Sequence, residues 1–184
     1  MIQPENGPAL LAEAGRKYRQ WLQDGARGRL HLTEPEGQNI CAAVSGKGLE
    51  RLRTSWRRLC LVLAVHIPGN AWKIFWLRRA GLTIGRNVFI THGVKFDWLA
   101  PWLITLEDGC MLGYEAVVAG HLYYQKKLIL RKVVIGRQAV VGLRALALAS
   151  LGAGSVLGPG SVLLTDAPDG TVWNGVPARP ADWI

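Results

Sequence analysis

Residues 134–145 read "VIGRQAVVGLRA", two six-residue units in succession, each with an aliphatic anchor, a glycine and a polar turn. The anchors Ile135 and Val141 are six residues apart, and a glycine follows each of them. A helix repeats its apolar residues every 3.6 positions and an ordinary strand every second position, so neither element accounts for this period. A short strand and a tight turn every six residues do. The stretch therefore predicts a stack of coils built from short strands.

The same period covers the chain from Leu82 onward. Its aliphatic anchors fall into four groups with a step of six inside each group: Ile84, Ile90; Leu106, Leu112, Val118; Ile135, Val141, Ala147; and Leu151, Leu157, Leu163. A glycine directly follows an anchor at Gly85, Gly113, Gly136, Gly142 and Gly158, where a Cβ would hinder the turn or the close stacking of coils. Between Ala147 and Leu151 the step shrinks to four, which predicts a distorted turn or bulge.

Two segments interrupt the repeat. Val94–Leu103 separates its flanking anchors by more than six residues, and Leu122–Lys132 does the same. Both are predicted to be excursions from the coil. The second begins directly after His121 and is rich in basic and aromatic residues. An interruption at this position raises the question of what function the inserted segment has.

The segment upstream of the repeat is predicted to be helical. Apolar residues at three- and four-residue steps with arginines between them indicate an amphipathic helix that Pro68 and Gly69 end. "NAWKIFWLRRAG" predicts a second helix ending at Gly81. Residues 1–46 are predicted to form a short helix near Leu10 to Gln23, followed by a mobile linker. The expected divisions are thus residues 1–46, a helical cap over 47–81 and a repeat domain over 82–184.

Composition limits the classes of function. The net charge is +9, and residues 1–80 hold 13 of the 22 Lys and Arg, so an anionic partner or a solvated basic face are both open. The three cysteines form no CxxC pair, which favours a reducing compartment over a thiolate metal site. The first 20 residues lack the basic-then-apolar order of a signal peptide, so cytoplasmic residence is expected. Nucleic-acid binding has no motif beyond charge.

From Leu82 to Pro180 the chain resembles the hexapeptide-repeat acyltransferases. The repeat itself and the closing run "GAGSVLGPGSVLLTDAPDGTVWNGVPARP" (residues 152–180) carry the resemblance. It implies a mainly β fold, a left-handed parallel β-helix with the N-terminal helices as a cap. It also implies acetyl-CoA or another acyl-CoA as co-substrate without a metal, a homotrimer with active sites between neighbouring prisms, and a small-molecule or glycan- or lipid-linked acceptor.

The resemblance assigns the catalytic base to His121, which stands at the end of a coil just before an excursion loop. Imidazole exchanges a proton readily near neutral pH and suits the removal of a proton from a hydroxyl or amine. The sequence pairs no Ser or Cys nucleophile with a base, so direct attack on the thioester is expected. By the same resemblance the amide of Gly142 is the candidate oxyanion donor and leaves room for the pantetheine arm; ordinary turn geometry is the alternative.

The remaining site residues follow from the same comparison. Glu115 takes a turn position where sugar-acetylating relatives often carry Asn, and is expected either to orient His121 or to bind the acceptor. Asp97 and Trp98, on the first excursion, are candidates for acceptor binding. Arg179 in the tail is a candidate for the nucleotide end of CoA. The basic residues of the second excursion suit an anionic acceptor or CoA phosphates, or are merely solvated: Lys126, Lys127, Arg131 and Lys132.

Two other functions are open. A zinc hydratase of the carbonic-anhydrase type on the same fold needs three converging histidines, and the coils hold only His92 and His121. A non-catalytic trimeric scaffold with residues 47–80 on a membrane surface is the other alternative. The same helices would equally cap the open end of the β-helix, which is the preferred interpretation.

Overall fold

The structure is a computed structural model that describes residues 7–33, 41, 44, 48–66 and 68–182. The α-helices whose bounds lie within the described residues precede the repeat: α1 (Gly7–Gln23), α2 (Leu49–His66) and α3 (Asn70–Ala80). Beyond them the chain winds into a three-sided parallel β-helix whose strands are two or three residues long, as the six-residue period predicts. The fold class is confirmed.

Each side of the prism is one sheet. Face 1 contains β2 (Thr83–Ile84), β5 (Ile104–Leu106) and β10 (Val133–Ile135). Face 2 contains β3 (Phe89–Ile90), β6 (Met111–Leu112), β11 (Val140–Val141), β13 (Val156–Leu157) and β15 (Val172–Gly175), with β16 (Ala178–Ala181) antiparallel at its end. Face 3 contains β4 (Lys95–Phe96), β7 (Val117–Val118), β12 (Leu146–Ala147) and β14 (Val162–Leu163).

The anchors fill the interior of the prism. All eleven residues that the period singles out lie in one buried cluster, and nine of them are exposed by 1% or less. Outward residues alternate with buried ones along these strands, so the three-residue strands β5 and β10 each contribute two side chains to the core and most two-residue strands contribute one. The predicted register is therefore the register of the structure.

The chain passes from face 3 to face 1 at what we call the third edge, and this edge is the irregular one. Both predicted excursions leave the coil here. In the later coils the corner is short instead: Leu151 follows Ala147 after four residues, and Ala167 follows Leu163 after four. Leu151 forms bridges with both Ile135 and Ala167, so the short step is a repeated tight corner and not an isolated defect.

The second excursion is a β-hairpin of β8 (His121–Tyr124) and β9 (Lys127–Arg131), and β1 (Arg29–Thr33) adds a third strand to it. The expectation of a mobile linker after α1 was wrong for this segment, because Arg29–Thr33 pairs antiparallel with Lys127–Arg131 over its whole length. Residues 34–40, 42, 43, 45 and 46 of the expected linker, and residue 47 of the expected cap, lie outside the described residues.

A second core lies outside the prism and holds the hairpin in place. It joins α1, β1, β9 and the first excursion through eleven buried residues: Ala14, Tyr18, Trp21, Ala26, Leu32, Val44, Leu99, Ala100, Leu103, Leu128 and Leu130. The N-terminal segment and both excursions thus fold as one unit against the third edge.

The packing of α2 and α3 follows the capping prediction. Leu77 and Ala80 of α3 and Cys60 of α2 join the core of the prism. The Asn70 side chain donates to the carbonyl of Val88 at 2.8 Å and accepts from the N–H of Ile90 at 3.0 Å. Backbone groups of the first coil that would otherwise lack partners are thereby satisfied. No helix in the described part of the chain is long and apolar enough to cross a membrane.

Candidate active site

His121 lies at the third edge, where β7 ends and the hairpin begins. Strand pairing with Leu130 fixes its backbone, and Gln125 and Lys126 close the hairpin with φ of +44° and +59°. The imidazole is 20% exposed, so one side faces protein and the other an open cavity.

The carboxylate of Asp97 fixes the protein-facing side. Asp97 is 2% exposed. Its Oδ1 accepts hydrogen bonds from the backbone N–H groups of Leu99 at 2.8 Å and Ala100 at 3.0 Å, and its Oδ2 accepts one from Gly120 at 2.9 Å. His121 Nδ1 lies 2.7 Å from Oδ1. One buried carboxylate therefore ties both excursions to the histidine.

The contact between Asp97 and His121 determines which ring nitrogen is available. The 2.7 Å separation is that of an ion pair, although the N–H direction is off the line to the oxygen. A carboxylate beside Nδ1 favours the proton on that nitrogen, which leaves Nε2 as the acceptor on the cavity side. The arrangement is that of a base with its orienting group.

Burial and hydrogen bonding act in opposite directions on the pKa of Asp97. Desolvation is the largest influence and raises it, but the imidazole of His121 and the N–H groups of Ala100 and Leu99 together outweigh burial. The net pKa lies below its ordinary value, so the carboxylate is ionised at neutral pH. The expectation that Asp97 binds the acceptor is corrected, because its oxygens are buried and already have protein partners.

The cavity beside His121 has a volume of about 200 Å³. Apolar side chains form most of its wall: Leu122, Ile129, Leu148 and Leu164. Leu148 and Leu164 come from the short corners of the later coils, which leave room that a full-length corner would fill. Two guanidinium groups, those of Arg29 and Arg131, complete the wall. None of the described residues that line the cavity is Ser, Thr or Cys.

The buried thiols are unsuited to nucleophilic attack. Burial raises the pKa of the Cys110 thiol to about 12 and raises that of Cys60 as well. Both side chains lie in the core of the prism. A thiolate at neutral pH is therefore not available at either position.

Trp98 lies beside His121 but is not among the residues that line the cavity, so its expected role as an acceptor wall stays a prediction. Its ring meets that of His121 edge-on, with centroids 6.1 Å apart, and Trp98 remains 49% exposed. The guanidinium of Arg58, from α2, lies 4.8 Å from the centroid of the same ring. Helix α2 is thereby connected to the histidine through a single aromatic side chain.

The placement of the oxyanion donor at Gly142 was wrong. Gly142 stacks on Gly113 at the edge between faces 2 and 3, one edge away from His121. Its N–H donates to the carbonyl of Leu157 at 2.7 Å and is therefore occupied by coil stacking. An ideal Cβ on Gly142 would lie 2.6 Å from that oxygen, so the glycine is required for close approach of the coils.

The amide of Ala149 lies nearer to His121 than that of Gly142, although Ala149 is fully buried and is not among the residues that line the cavity. Ala147 pairs with Val118, so Ala149 stacks on Gly120, beside His121. The neighbouring amides are engaged: Leu148 donates to a coil carbonyl and Ser150 donates to a carboxylate. In the described part of the chain the Ala149 N–H has no hydrogen-bond acceptor.

Glu115 does not orient His121. It lies at the edge between faces 2 and 3, where its Oε2 accepts a hydrogen bond from Arg144 Nε at 2.7 Å. That contact is the largest influence on the carboxyl and lowers the pKa of Glu115. The orienting role belongs to Asp97, and an acceptor-binding role for Glu115 stays a prediction. Glu115 has a φ of +56°, a left-handed conformation that Asn adopts more readily than Glu.

The other predicted residues lie apart from the cavity. Arg179 is exposed on β16, in the tail hairpin. His92 stacks on Tyr114 with ring centroids 6.0 Å apart, at the same edge as Glu115. Within the described residues no three His, Cys, Asp or Glu side chains are grouped so as to hold a metal ion.

A second cavity, of about 230 Å³, lies between α1 and α2. Tyr18, Arg53, Arg57 and Trp102 border it. The guanidinium of Arg57 covers the ring of Trp102 at 4.4 Å, so Trp102 packs here and not beside His121. Because none of the residues that surround His121 reaches this cavity, the smaller one is the candidate active site.

Sequence reasoning missed Arg29, Leu148 and Leu164. The signal for Arg29 was present in "RLHLT", where Leu30 and Leu32 alternate with polar residues at the period of a strand.

Comparison with family models and with curated proteins finds no match. Solved structures do match. A hexapeptide-repeat containing acetyltransferase from Vibrio cholerae, solved with acetyl coenzyme A, is 18% identical over 75% of this chain and 90% of its own, with a TM-score of 0.64. This chain has the left-handed β-helix fold of the hexapeptide-repeat acetyltransferases. A maltose O-acetyltransferase from Clostridium difficile 630 (16% identical, 76% of this chain and 90% of its own, TM-score 0.57) shares that fold. A galactoside acetyltransferase in complex with coenzyme A (14% identical, 89% of both chains, TM-score 0.57) shares it too.

We expect Asp97→Asn to change the acid stability of this hexapeptide-repeat fold. A carboxyl whose pKa is lower in the folded protein contributes stability that is complete above its unfolded pKa of about 3.9 and is lost as the pH falls through the folded pKa. The free energy of unfolding of the wild type should thus exceed that of the variant by the largest margin near neutral pH. Urea unfolding between about pH 6 and pH 3 measures the margin. A margin that does not shrink in acid would contradict the assignment.

Proposed function

We propose that the protein is an acyltransferase, most simply an acetyltransferase, that moves an acyl group from a CoA thioester directly to a hydroxyl or amine. The observation that carries the proposal is the pair of His121 and buried Asp97 at the wall of the cavity. His121 Nε2 removes the proton of the acceptor as the acceptor oxygen or nitrogen attacks the thioester carbon. The histidine then returns this proton to the departing thiolate of CoA.

The oxyanion of the tetrahedral intermediate needs a preorganised donor, and the Ala149 N–H is the candidate. It has no acceptor in the described part of the chain, and it stacks directly beside the start of the hairpin. The absence of Ser, Thr and Cys from the described residues of the cavity wall supports direct transfer without an acyl-enzyme. Trp98 forms the acceptor wall, and Arg179 is retained as the proposed contact for the nucleotide end of CoA.

The protein is proposed to act as a trimer, with the acyl donor in the groove between neighbouring prisms. Apolar residues stand in one row on the outside of face 2, because Phe89, Met111 and Val140 pair in register. Phe89 is 49% and Met111 43% exposed in the single chain. A row of this kind on an otherwise regular surface suits burial against another copy.

A peripheral membrane location is proposed from the outer side of α2 and α3. Seven large apolar side chains there are exposed by 41–84%: Leu49, Leu52, Trp56, Leu59, Val62, Trp72 and Phe75. Exposed arginines flank them, and the two helices contain a single acidic residue, Glu50. A second copy would set arginine against arginine, whereas an anionic lipid surface complements both the apolar and the cationic groups. Arg58 and Trp98 connect this surface to His121, which suits a lipid-linked acceptor.

His121→Gln should abolish acyl transfer while the fold persists. We expect a loss of about a thousandfold in kcat, since a positioned base contributes on the order of 10²–10⁴. The measurement is thiol release from acetyl-CoA with a panel of sugars, amines and lipids. His92→Gln, at another edge, is the matched control and should keep wild-type rates. Retained transfer in the His121 variant, or no transfer by the wild type with any of the panel, would favour the scaffold.

Met111→Glu should convert the trimer to monomers. The substitution places a carboxylate in the apolar row of face 2, where burial of an unpaired charge opposes association. Light scattering after size exclusion measures the mass. Thr83→Glu, outward on face 1, is the control and should remain trimeric. A wild type that is itself monomeric at micromolar concentration would contradict the proposal.

Leu52→Ser with Leu59→Ser should weaken binding to vesicles. The pair removes two exposed apolar side chains from the membrane-facing side of α2, and we expect at least a tenfold weaker partition into vesicles of phosphatidylcholine and phosphatidylglycerol. Co-sedimentation of the full chain measures it. Val176→Ser, 72% exposed on the tail hairpin, is the control. If the double variant changes the oligomeric mass and leaves vesicle binding intact, the surface serves self-association instead.

A further inference from the structure

Arg29 and Arg131 stand directly opposite each other in the pairing of β1 with β9. Both line the cavity that contains His121. Arg29 belongs to the N-terminal segment, which is distant in sequence from the repeat. The N-terminal strand therefore supplies part of the wall of the candidate active site.

The charges of this pair are only partly balanced by the protein. Like charges directly opposite each other on neighbouring strands destabilise a sheet. Arg131 forms an ion pair with Asp166, which is 63% exposed. Within the described residues Arg29 has no carboxylate partner, and its Nη2 donates to the carbonyl of Leu164 at 3.2 Å. Asp166 pairs with Arg131 alone, so the charge of Arg29 is not balanced and a net positive charge remains beside the imidazole.

Arg131 has an unused donor as well. Its side chain is only 12% exposed, yet its buried Nε has no hydrogen-bond partner in the described part of the chain. A buried N–H without an acceptor is unfavourable, because it has lost its hydrogen bonds to water and gained none from the protein. A purely structural role, joining the strand to the coil, would rest on the Leu164 carbonyl as a shared acceptor. That contact is weak for Arg131, because its Nη1 lies 3.5 Å from the carbonyl oxygen.

The position of the pair decides which substrate it faces. In CoA the long pantetheine arm separates the phosphates from the thioester. The two guanidinium groups share a cavity of about 200 Å³ with His121, so they lie near the thioester end and not near the phosphates. An anion bound here belongs to a molecule whose nucleophile is already at His121. The four apolar side chains of the wall then surround its uncharged part.

We infer that Arg29 and Arg131 form an anion subsite which selects an acceptor carrying a carboxylate or a phosphate beside its reactive hydroxyl or amine. Guanidinium groups bind either anion through paired, charge-assisted hydrogen bonds. The inference rests on the proposed function and narrows its acceptor to an anionic class.

The test compares matched acceptors with acetyl-CoA as donor: glucosamine with glucosamine 6-phosphate, and galactose with galacturonate. In the wild type the anionic member of each pair should have the higher kcat/KM. Arg29→Gln should lower the ratio of anionic to neutral kcat/KM by about tenfold or more, the value of one charged hydrogen bond. Arg29→Lys should restore part of the ratio. Arg27→Gln, an exposed arginine on the preceding turn, should leave it at the wild-type value.

A binding measurement separates this inference from the proposed function. Calorimetry at fixed ionic strength gives the Kd of glucosamine 6-phosphate and of glucosamine without any turnover. We expect Arg29→Gln to weaken binding of the phosphate about tenfold and Arg27→Gln to leave it unchanged. Equal effects of the two substitutions would overturn the subsite. The subsite would also be overturned if Arg29→Gln lowered kcat/KM with succinyl-CoA as donor and left kcat/KM with acetyl-CoA unchanged. The arginine would then bind the carboxylate of the acyl group and not an anion of the acceptor.

Discussion

The buried carboxylate of Asp97 is the constraint on which the rest of the site depends. It accepts N–H groups from the first excursion, at Leu99 and Ala100, and from the start of the second, at Gly120. Neither excursion belongs to the coil ladder at this point, so neither has the regular backbone partners that hold the other corners. A charged acceptor with two oxygens substitutes for those partners and lies against His121 at the same time. The same carboxylate therefore fixes the loop geometry and orients the base, and its loss would disturb both.

The second core explains how a histidine on a loop is held rigidly. Leu99 and Leu103 from the first excursion pack with Leu128 and Leu130 from the hairpin. Tyr18 and Trp21 of α1 close this cluster from outside, and β1 adds its ladder of hydrogen bonds. Hairpins of two strands are marginally stable alone, and a third strand with an apolar face gives them independent support. The described part of the N-terminal segment thus acts on the site through the second core.

The period of six predicted the coil and its interior almost completely, because each anchor can be recognised from the few residues around it. The site was predicted less well, for a reason the repeat itself supplies. All three edges of a coil look alike in sequence, so the turn glycine at Gly142 was placed beside His121 although it lies one edge away. Counting anchors would have corrected this: His121 follows the third anchor of its coil, and Ala147 is the third anchor of the next. The role of Asp97 was beyond such counting, because it arises from backbone groups 23 residues away.

The third edge shows why an irregular corner becomes a site in a regular fold. At the other two edges backbone N–H groups such as that of Gly142 are consumed by stacking, and the coils approach too closely to admit a ligand. At the third edge the later corners are two residues shorter and the earlier ones carry excursions, so a recess forms over Leu148 and Leu164 and beneath the hairpin. In the described part of the chain the Ala149 N–H has no acceptor there, although Ala149 itself is fully buried. The interruption of the repeat after His121 thus leaves a backbone N–H unpaired that a perfect repeat would have paired internally.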